Sequence, residues 1–511
     1  MTTTNGLTGA TRTDGPRTYG NWRRPATAGL GGLGMLATAV LFVGIAAAII
    51  ASMTAGLGPA LIVASLFGVV LLTVAVKDKH GQSALGRTLN RIGWARTKHR
   101  GSHLYRSGPT GRAKWGTFQL PGLAASSQLG QWTDSHGRPF ALLHTPATRH
   151  YTVVLAAEPD GAALVDQEQI DNQVAEFGIW LANLGDEPGI EGASITIETA
   201  PDTGTRLAAE VAGSLDPDAP PFAQAVLADV VASYPLGSAT IRATIAITFN
   251  EVYRASVNRS KRRKPDEVAG DLASRLPGLT TSLSATGAGA ARPLSAQELC
   301  EVIRVAYDPA AGRLIDEARA AGEPAALTWP EVGPAAAEAR WGSYRHDSAV
   351  SSTWTMTSPP RGVVQSGILA KLLAPHRDIA RKRVTLLYRP IDPARAAALV
   401  EADLNAARFN STASAKPTAR STLSARSAQA TASEEAAGAG LVNFGLIVTA
   451  TTTDPDLEPD ARAAVDSLTA AARLRMRPAY GSQDTAFAAG LPLGLVLPRH
   501  LRLPTEVREA L

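Results

Sequence analysis

The feature that most constrains this chain is a long uncharged segment near its N-terminus. No Asp, Glu, Lys or Arg occurs between Arg24 and Lys77. The segment divides into two apolar stretches, Leu30–Met53 and Ala60–Val76, which the turn-forming residues Gly56–Pro59 separate. Because a helix needs about 20 apolar residues to cross a bilayer, each stretch is long enough to span one. Lipid cannot satisfy free backbone groups, so the sequence predicts an α-helical transmembrane hairpin.

The charges on either side of the hairpin predict its orientation. Four arginines and one aspartate precede it, and its turn carries no charge. The segment that follows, 77–114, contains one acidic residue, Asp78, and many basic residues. These are Lys77, Lys79, Arg87, Arg91, Arg96, Lys98, Arg100, Arg106, Arg112 and Lys114. Since positive charge is retained in the cytoplasm, both termini are predicted to be cytoplasmic, in a two-pass protein of the inner (cytoplasmic) membrane. Tyr19 and Trp22 are predicted to anchor at the membrane interface.

Other interpretations of the uncharged segment fit less well. A cleaved signal peptide has a shorter apolar core and no second span directly after it. A buried hairpin of a soluble protein leaves the flanking arginines unexplained. Gly29–Gly34 matches the dinucleotide fingerprint G-x-G-x-x-G, but no strand precedes it and it opens a spanning helix. The small residues Gly44, Ala48, Ala64 and Gly68 instead predict a close approach of the two helices.

The basic stretch after the hairpin could bind acidic lipid, a protein partner or nucleic acid. Its position just inside the membrane favours the lipid bilayer. His99 and His103 have the spacing of a metal-binding pair, but their basic neighbours would repel a cation, so no metal site is predicted. A second basic run, Arg259–Lys264, is interpreted as a solvated or lipid-proximal loop, and nucleic-acid binding is not directly indicated.

Strands and helices alternate through the rest of the chain. Strand patterns cover His150–Ala157, Gly192–Thr199, Ser238–Phe249, Ala349–Thr357, Arg383–Arg389, Gly440–Thr452 and Leu474–Arg477. Helical patterns cover Ala163–Leu184, Thr205–Ser214, Pro221–Tyr234, Pro265–Thr286, Ser295–Tyr307, Gly362–Leu373, Pro393–Arg408 and Pro459–Arg473. The fold class predicted after the hairpin is therefore α/β (α+β) cytoplasmic modules, of a kind that includes ferredoxin-like sandwiches.

These patterns divide the chain into five parts. They are a cytoplasmic tail (1–24), the transmembrane hairpin (25–76), a basic juxtamembrane connector (77–137), a first α/β module (138–340) and a second one (341–511). The second module contains an Ala/Ser/Thr-rich excursion at 410–437, which is either a flexible linker or a helix that Pro417 would break.

The sequence lacks the common catalytic motifs. There is no G-x-x-x-x-G-K-[ST] phosphate loop, no H-E-x-x-H, no C-x-x-C and no G-x-S-x-G. The single cysteine, Cys300, excludes an internal disulfide and lies in an apolar helical pattern typical of a buried thiol. The densest polar cluster, Tyr344–Asp347, is interpreted as a hydrogen-bonded corner. We therefore predict no catalytic, cofactor-binding or metal-binding residue and no enzymatic activity, although a site assembled from distant residues stays open.

Several segments together resemble an actinobacterial membrane-protein family of mobile elements and conjugation-like clusters. They run over nearly the whole chain and comprise Tyr19–Pro25, the hairpin, Gly101–Gly108, Arg138–His144, Tyr344–Val350 and Ala479–Gln483. In that family the hairpin is similar to the small PrgI-type subunit of conjugative type IV secretion systems. The remainder resembles the non-ATPase N-terminal region of the large VirB-type secretion ATPase. This chain departs from the pattern because it has no motor domain.

The resemblance implies a non-catalytic structural component of a type IV-like secretion or DNA-transfer apparatus. Its implied partners are the lipid bilayer, a separate secretion-type ATPase and other membrane subunits, and an oligomer is compatible with this role. Two alternatives remain open at this point. One is a component resembling EccE of the type VII secretion system, and the other is a membrane-anchored α/β enzyme.

Overall fold

The fold was determined from a computed structural model of the chain. It describes residues 17, 19, 20, 22, 35–75, 78, 80, 82–108, 111, 119–159, 161, 165–202, 204–233, 239–251, 263–323, 325–360, 362–412 and 419–501. The glycine-rich fingerprint at 29–34, Pro417 and most of the basic run at 259–264 lie outside these residues.

The described residues contain fifteen α-helices and thirteen strands. The helices are α1 (Met35–Ala55), α2 (Leu57–Ala75), α3 (Ala84–His99), α4 (Gln167–Asp186), α5 (Thr205–Ser214), α6 (Pro221–Ser233), α7 (Pro265–Thr281), α8 (Ala296–Tyr307), α9 (Ala311–Ala320), α10 (Ala370–Leu373), α11 (Pro393–Thr412), α12 (Ala419–Ala436), α13 (Glu458–Ala471), α14 (Gln483–Ala489) and α15 (Leu497–His500). The strands are β1 (Leu104–Arg106), β2 (Gln128–Thr133), β3 (Pro139–Thr145), β4 (His150–Glu158), β5 (Ile190–Pro201), β6 (Ala239–Asn250), β7 (Ala290–Pro293), β8 (Ala336–Ala339), β9 (Tyr344–His346), β10 (Ala349–Ser358), β11 (Arg381–Pro390), β12 (Val442–Thr452) and β13 (Arg475–Pro478).

Helices α1 and α2 form an antiparallel pair in which Gly56, at φ +85°, makes the turn between them. Gly44 is buried against Phe67, and a Cβ atom at Gly44 would lie 2.8 Å from the Phe67 Cβ. A side chain at this position would therefore push the helices apart. The predicted role of Gly68 is wrong, because a Cβ there would meet nothing within 4 Å. The close approach pairs a glycine with an aromatic ring rather than two small residues.

All thirteen strands belong to one sheet. Its order is β1-β8-β9-β10-β12-β11-β5-β6-β4-β3-β2, with β13 paired to β10 and β7 paired to β4. The predicted α/β modules are therefore not separate in space, because β5 of one pairs with β11 of the other over seven residue positions.

Strand pairing crosses the predicted domain boundaries. The connector 77–137 contributes β1, which pairs with β8, and β2, which pairs with β3. The boundary at 340/341 separates β8 from β9, although these two strands pair. These short strands follow no long alternating pattern, so only their partners in the sheet reveal them.

The body consists of two halves with the same topology. The first half (128–307) runs β4-α4-β5-β6-α7-β7 and places its strands in the order β7-β4-β6-β5. The second half (336–489) runs β10-α10-β11-β12-α13-β13 and places its strands in the order β13-β10-β12-β11. In each half a β-α-β-β-α-β unit thus has its fourth strand beside the first and its third between the first and second.

A pseudo-twofold axis relates the halves. Leu155 pairs with Ile245 and Pro293, and Trp354 pairs with Val448 and Pro478, so Leu155 and Trp354 occupy equivalent positions. When the register is continued from β6 to β5 and from β12 to β11, Thr196 and Thr385 also occupy equivalent positions.

These two threonines lie directly opposite each other where the halves meet. The pairs on either side interchange as a twofold requires, since Tyr388 lies opposite Ala193 and Lys382 opposite Thr199. The axis therefore passes between Thr196 and Thr385, perpendicular to the sheet.

Helices cover both faces of the sheet. On one face, α4 and α7 bury a core with Leu155 and Ile245, and α10 and α13 bury the equivalent core with Trp354 and Val448. On the other face, α8, α14 and the segment that follows α14 share a single core with Val154. The body is thus a three-layer α/β/α structure in which one layer bridges the two halves.

In the second half, one predicted helix differs from what is observed and one open alternative is decided. The predicted helix Gly362–Leu373 shrinks to a 3-10 turn at Ser366–Leu369 followed by α10. Gly362 has φ +75° and Gln365 is extended, and neither conformation continues a helix. The excursion at 410–437 is largely helical, because α12 occupies Ala419–Ala436 and pairs with α11.

Candidate functional sites: an exposed apolar helix pair and a buried charge cluster

The apolar surface of α1 and α2 is mostly uncovered. Each helix contains a window long and apolar enough to cross a membrane, Ala37–Ala55 with mean hydropathy 2.1 and Leu57–Val74 with 2.4. Only 11% of the first window and 0% of the second are buried. The core helices of soluble proteins are mostly buried, so these two lack the packing of that class. Soluble monomers rarely expose so large an apolar patch.

Tyr19 and Trp22, which precede α1, contact the body of the protein. The backbone N–H and C=O of Tyr19 pair with Val364, at 2.7 Å each, and its hydroxyl donates to Asp171 Oδ1 at 2.9 Å. The Trp22 ring lies 5.4 Å from the Phe444 ring, at the start of β12. Tyr19 and Trp22, which were predicted to lie at a membrane interface, thus also contact the body, and only tertiary structure could reveal these contacts.

Helix α3, after α2, contacts the body through one aromatic residue. Its N-cap is Ser83, whose hydroxyl accepts from the Gly86 N–H at 3.1 Å. Trp94 packs against Trp341, with ring centroids 6.1 Å apart. Leu89 and Ile92 lie on the side away from Trp94 and are exposed. The helix carries no acidic residue, so it presents basic and apolar groups beside the base of the helix pair.

A buried charge cluster lies beside the pseudo-twofold axis. Glu198 Oε1 accepts from Arg381 Nη1 at 2.5 Å, and Glu198 Oε2 accepts from Arg383 Nε at 2.8 Å. Arg242 lies opposite Glu198 on β6. Burial alone would raise the pKa of Glu198, but Arg381 and Arg383 outweigh it and hold that pKa at about 2. The carboxylate is therefore charged at any physiological pH.

The cluster borders a small cleft of about 10 Å³ between the sheet and the bridging layer. Its lining residues are Thr196, Glu198, Arg242, Thr244, Val302, Ala306, Arg383, Leu491 and Pro492. The Arg383 guanidinium also stacks over the Phe487 ring, 5.1 Å from its centroid. This site was not predicted from the sequence, although a charged residue inside an otherwise apolar strand, as at Glu198 and Arg383, is a usable signal of one.

The polar cluster Tyr344–Asp347 forms a hydrogen-bonded corner. His346 is fully buried, its Nδ1 lies 2.5 Å from the Tyr307 carbonyl and its Nε2 lies 2.8 Å from the Ser351 hydroxyl. A carbonyl can only accept, so Nδ1 carries the proton and Ser351 donates to Nε2. Burial lowers the pKa of His346 to about 4. A neutral ring enclosed in this way has no free nitrogen for acid–base chemistry.

The remaining candidate residues do not converge on a site. Cys300 is buried in α8, and burial raises its pKa to about 12, which leaves the thiol protonated. His99 ends α3, whereas His103 lies beside Trp94, with ring centroids 6.2 Å apart. Within the part of the chain that the structure describes, no group of three or more His, Cys, Asp or Glu side chains could hold a metal ion.

Comparison with known protein families concerns only the N-terminal region. Residues 26–85 match the model of a family described as a domain of unknown function (DUF8461). That match covers α1, α2 and the start of α3, and it stops before the first strand of the sheet. No curated protein matches the sequence. The similarity therefore marks the helix pair as a recurring unit and assigns no activity to it.

Proposed function

We propose that the chain is a membrane-anchored, non-catalytic scaffold, with α1 and α2 as a transmembrane hairpin. The observation that carries this proposal is the exposed apolar surface of both helices. Tyr19 and Trp22 before the pair, and Trp94 after it, contact one and the same body, so both ends of the hairpin lie on one side. A bilayer would cover the exposed surface and leave the body on that side.

The orientation and the lipid contact follow from charge. Basic residues on both flanks and none in the turn favour a cytoplasmic body beneath the inner membrane. In this arrangement α3 lies at the bilayer surface, with Leu89 and Ile92 facing the acyl boundary and its arginines facing acidic headgroups.

The body is, in this proposal, a tandem pair of ferredoxin-like units fused through β5 and β11. We infer that it serves as a structural component of a type IV-like secretion or DNA-transfer apparatus and docks a separate ATPase. Support comes from the segments that resemble the conjugation-associated family and from the absence of a phosphate loop in the sequence. A component resembling EccE of type VII secretion would share the same anchor and body, and a membrane-anchored enzyme is the rival of a different class.

Thiol labelling in intact cells tests the topology. Gly58, in the turn region, and Ser102, after α3, are both exposed. Cysteine introduced by Gly58→Cys should react with a membrane-impermeant reagent, and cysteine introduced by Ser102→Cys should react only after lysis. The native thiol of Cys300 is buried and supplies little background. Labelling of the Ser102 variant in intact cells would refute a cytoplasmic body.

Affinity purification from native membranes in mild detergent tests the scaffold role. An ATPase should co-purify with the full chain. Relaxase-type proteins in the same complex would favour the type IV-like hypothesis. Small secreted WxG-type proteins would favour the EccE-like hypothesis. A chain that purifies alone and turns over a substrate would contradict the scaffold and favour the enzyme.

A further inference from the structure

The cleft at the pseudo-twofold axis holds a cation with unused hydrogen-bond donors. Arg383 is only 2% exposed, and its Nε donates to Glu198. Its two terminal nitrogens, Nη1 and Nη2, are buried and donate to no described residue. Burying unpaired donors of a charged group is costly, so a native structure normally supplies an acceptor.

The charges around the cleft favour an anionic acceptor. Three guanidinium groups, those of Arg242, Arg381 and Arg383, surround the single carboxylate of Glu198. Both oxygens of that carboxylate already accept from arginines. Hydrogen bonds between a guanidinium and an anion are among the strongest available in proteins. A neutral acceptor would leave the excess positive charge in place.

The size of the cleft limits the ligand. Its remaining walls are apolar side chains and the hydroxyls of Thr196 and Thr244, and the free space admits about one water-sized sphere. A chloride ion is only slightly larger than such a sphere, whereas a tetrahedral oxyanion such as phosphate would need the walls to move apart.

We propose that this cleft binds a single small inorganic anion of chloride size on the terminal nitrogens of Arg383. The anion accepts hydrogen bonds from an arginine of the second half, close to Glu198 and Arg242 of the first half. Its binding therefore ties the two halves together at their junction. This inference is independent of the anchor and scaffold proposals.

Chloride-35 NMR of the purified full chain in a non-ionic detergent tests the proposal. Exchange with a bound site broadens the chloride line, and bromide should remove the excess broadening by competition. Phosphate at the same concentration should leave it in place. Displacement by phosphate at lower concentration than bromide would overturn the assignment of a chloride-sized site.

Three variants locate the ion. Arg383→Lys keeps one positive charge beside Glu198 but lacks the two free nitrogens, so chloride affinity should fall at least tenfold. Arg242→Ala, at an exposed position, should weaken it by roughly threefold through loss of charge alone. The exposed strand residue Arg345 supplies a matched control, and Arg345→Ala should leave the affinity unchanged.

Thermal unfolding gives a second readout. At constant ionic strength, replacement of gluconate by chloride should raise Tm of the wild type, because a ligand of the folded state stabilises it. The rise should be lost in Arg383→Lys. Equal broadening in wild type and Arg383→Lys, or no chloride-specific broadening in the wild type, would mean that water alone occupies the cleft.

Discussion

Leu155 in the first half and Trp354 in the second occupy equivalent positions in the sheet, yet their cores are filled differently. Leu155 is purely apolar, whereas the Trp354 indole donates to Asp466 at 3.1 Å. Helix α4, between the first two strands of the first unit, runs Gln167–Asp186, while its counterpart α10 is a single turn. The larger tryptophan thus accompanies the smaller helix. The comparison shows that topology persists while core volume is redistributed.

The two halves share hydrogen-bonded hydroxyl pairs at equivalent positions, but they do not share the buried ion pairs. Thr152 bonds to Thr248 at 3.1 Å, and the equivalent Ser351 bonds to Thr451 at 2.7 Å. By contrast, Glu198 corresponds to Leu387 by position, so its ion pairs occur on one side of the axis alone. Uncharged hydroxyl pairs fit either half, whereas a buried carboxylate requires its own arginines.

The twofold exchanges the two ends of the sheet. Because it reverses strand direction, the insertion α5–α6 and its equivalent α11–α12 lie at opposite ends. The pair α11–α12 lies at the end where Phe444 contacts Trp22. Only one of the two equivalent insertions therefore shares its end of the sheet with this contact.

The largest effect is expected from truncating the equivalent core residues. Trp354→Ala should lower the free energy of unfolding by about 4 kcal/mol, because it opens a large cavity and leaves Asp466 without its donor. Leu155→Ala should cost about 3 kcal/mol. Denaturant midpoints of the two variants measure the difference. A larger loss for Leu155→Ala would show that the first core carries more of the stability than the second.

Removing the asymmetric carboxylate comes next. Glu198→Leu introduces the residue of the equivalent position, but leaves Arg381 and Arg383 without a counter-charge, at a cost of about 3 kcal/mol. Adding Arg383→Ser, also the equivalent residue, should recover more than half of that loss. Urea denaturation of the single and double variants gives the coupling between the two sites. Additive losses would show that the charges are independent.

Acid should destabilise both halves through one buried histidine each. Burial lowers the pKa of His150 and of His346 to about 4, below the ordinary 6.5. The folded state keeps both rings neutral while the unfolded chain takes up protons below pH 6.5. Their contribution is therefore complete above pH 6.5 and lost as the pH falls through 4, at about 3 kcal/mol for each histidine.

Denaturation midpoints between pH 7.5 and 4 test this dependence. His346→Gln and His150→Gln should each flatten the slope of stability against pH by about half. If one variant removes the whole slope, the acid response belongs to one half alone.

The smallest effect is expected at the axis itself. Thr385 donates to the Gly490 carbonyl at 2.8 Å, so the proton in its 3.0 Å bond to Thr196 comes from Thr196. Thr196→Val should therefore cost about 1 kcal/mol. Thr152→Val, which removes an analogous donor away from the axis, should cost about the same. Thermal unfolding of both variants checks this, and a much larger loss at Thr196 would single out the junction.

Long elements were predictable because their patterns are local. Thr205–Ser214 was predicted with its observed bounds, and the strand at His150 was predicted to within one residue of its end. The strands β1, β2, β3, β7, β8 and β9 were not predicted, because three to seven residues carry too little periodicity. The charge cluster joins β5, β6 and β11, whose residues are far apart in sequence. Nothing local marks Glu198 and Arg383 as partners.

The uncharged segment by itself determined that this chain has two long apolar helices, since their length and composition allow little else. Alternating patterns likewise determined an α/β body. Only the tertiary structure decided that the two predicted modules share one sheet and a pseudo-twofold axis. Strand pairing depends on hydrogen bonds between distant segments, and a strand's own residues do not specify which edge it will join.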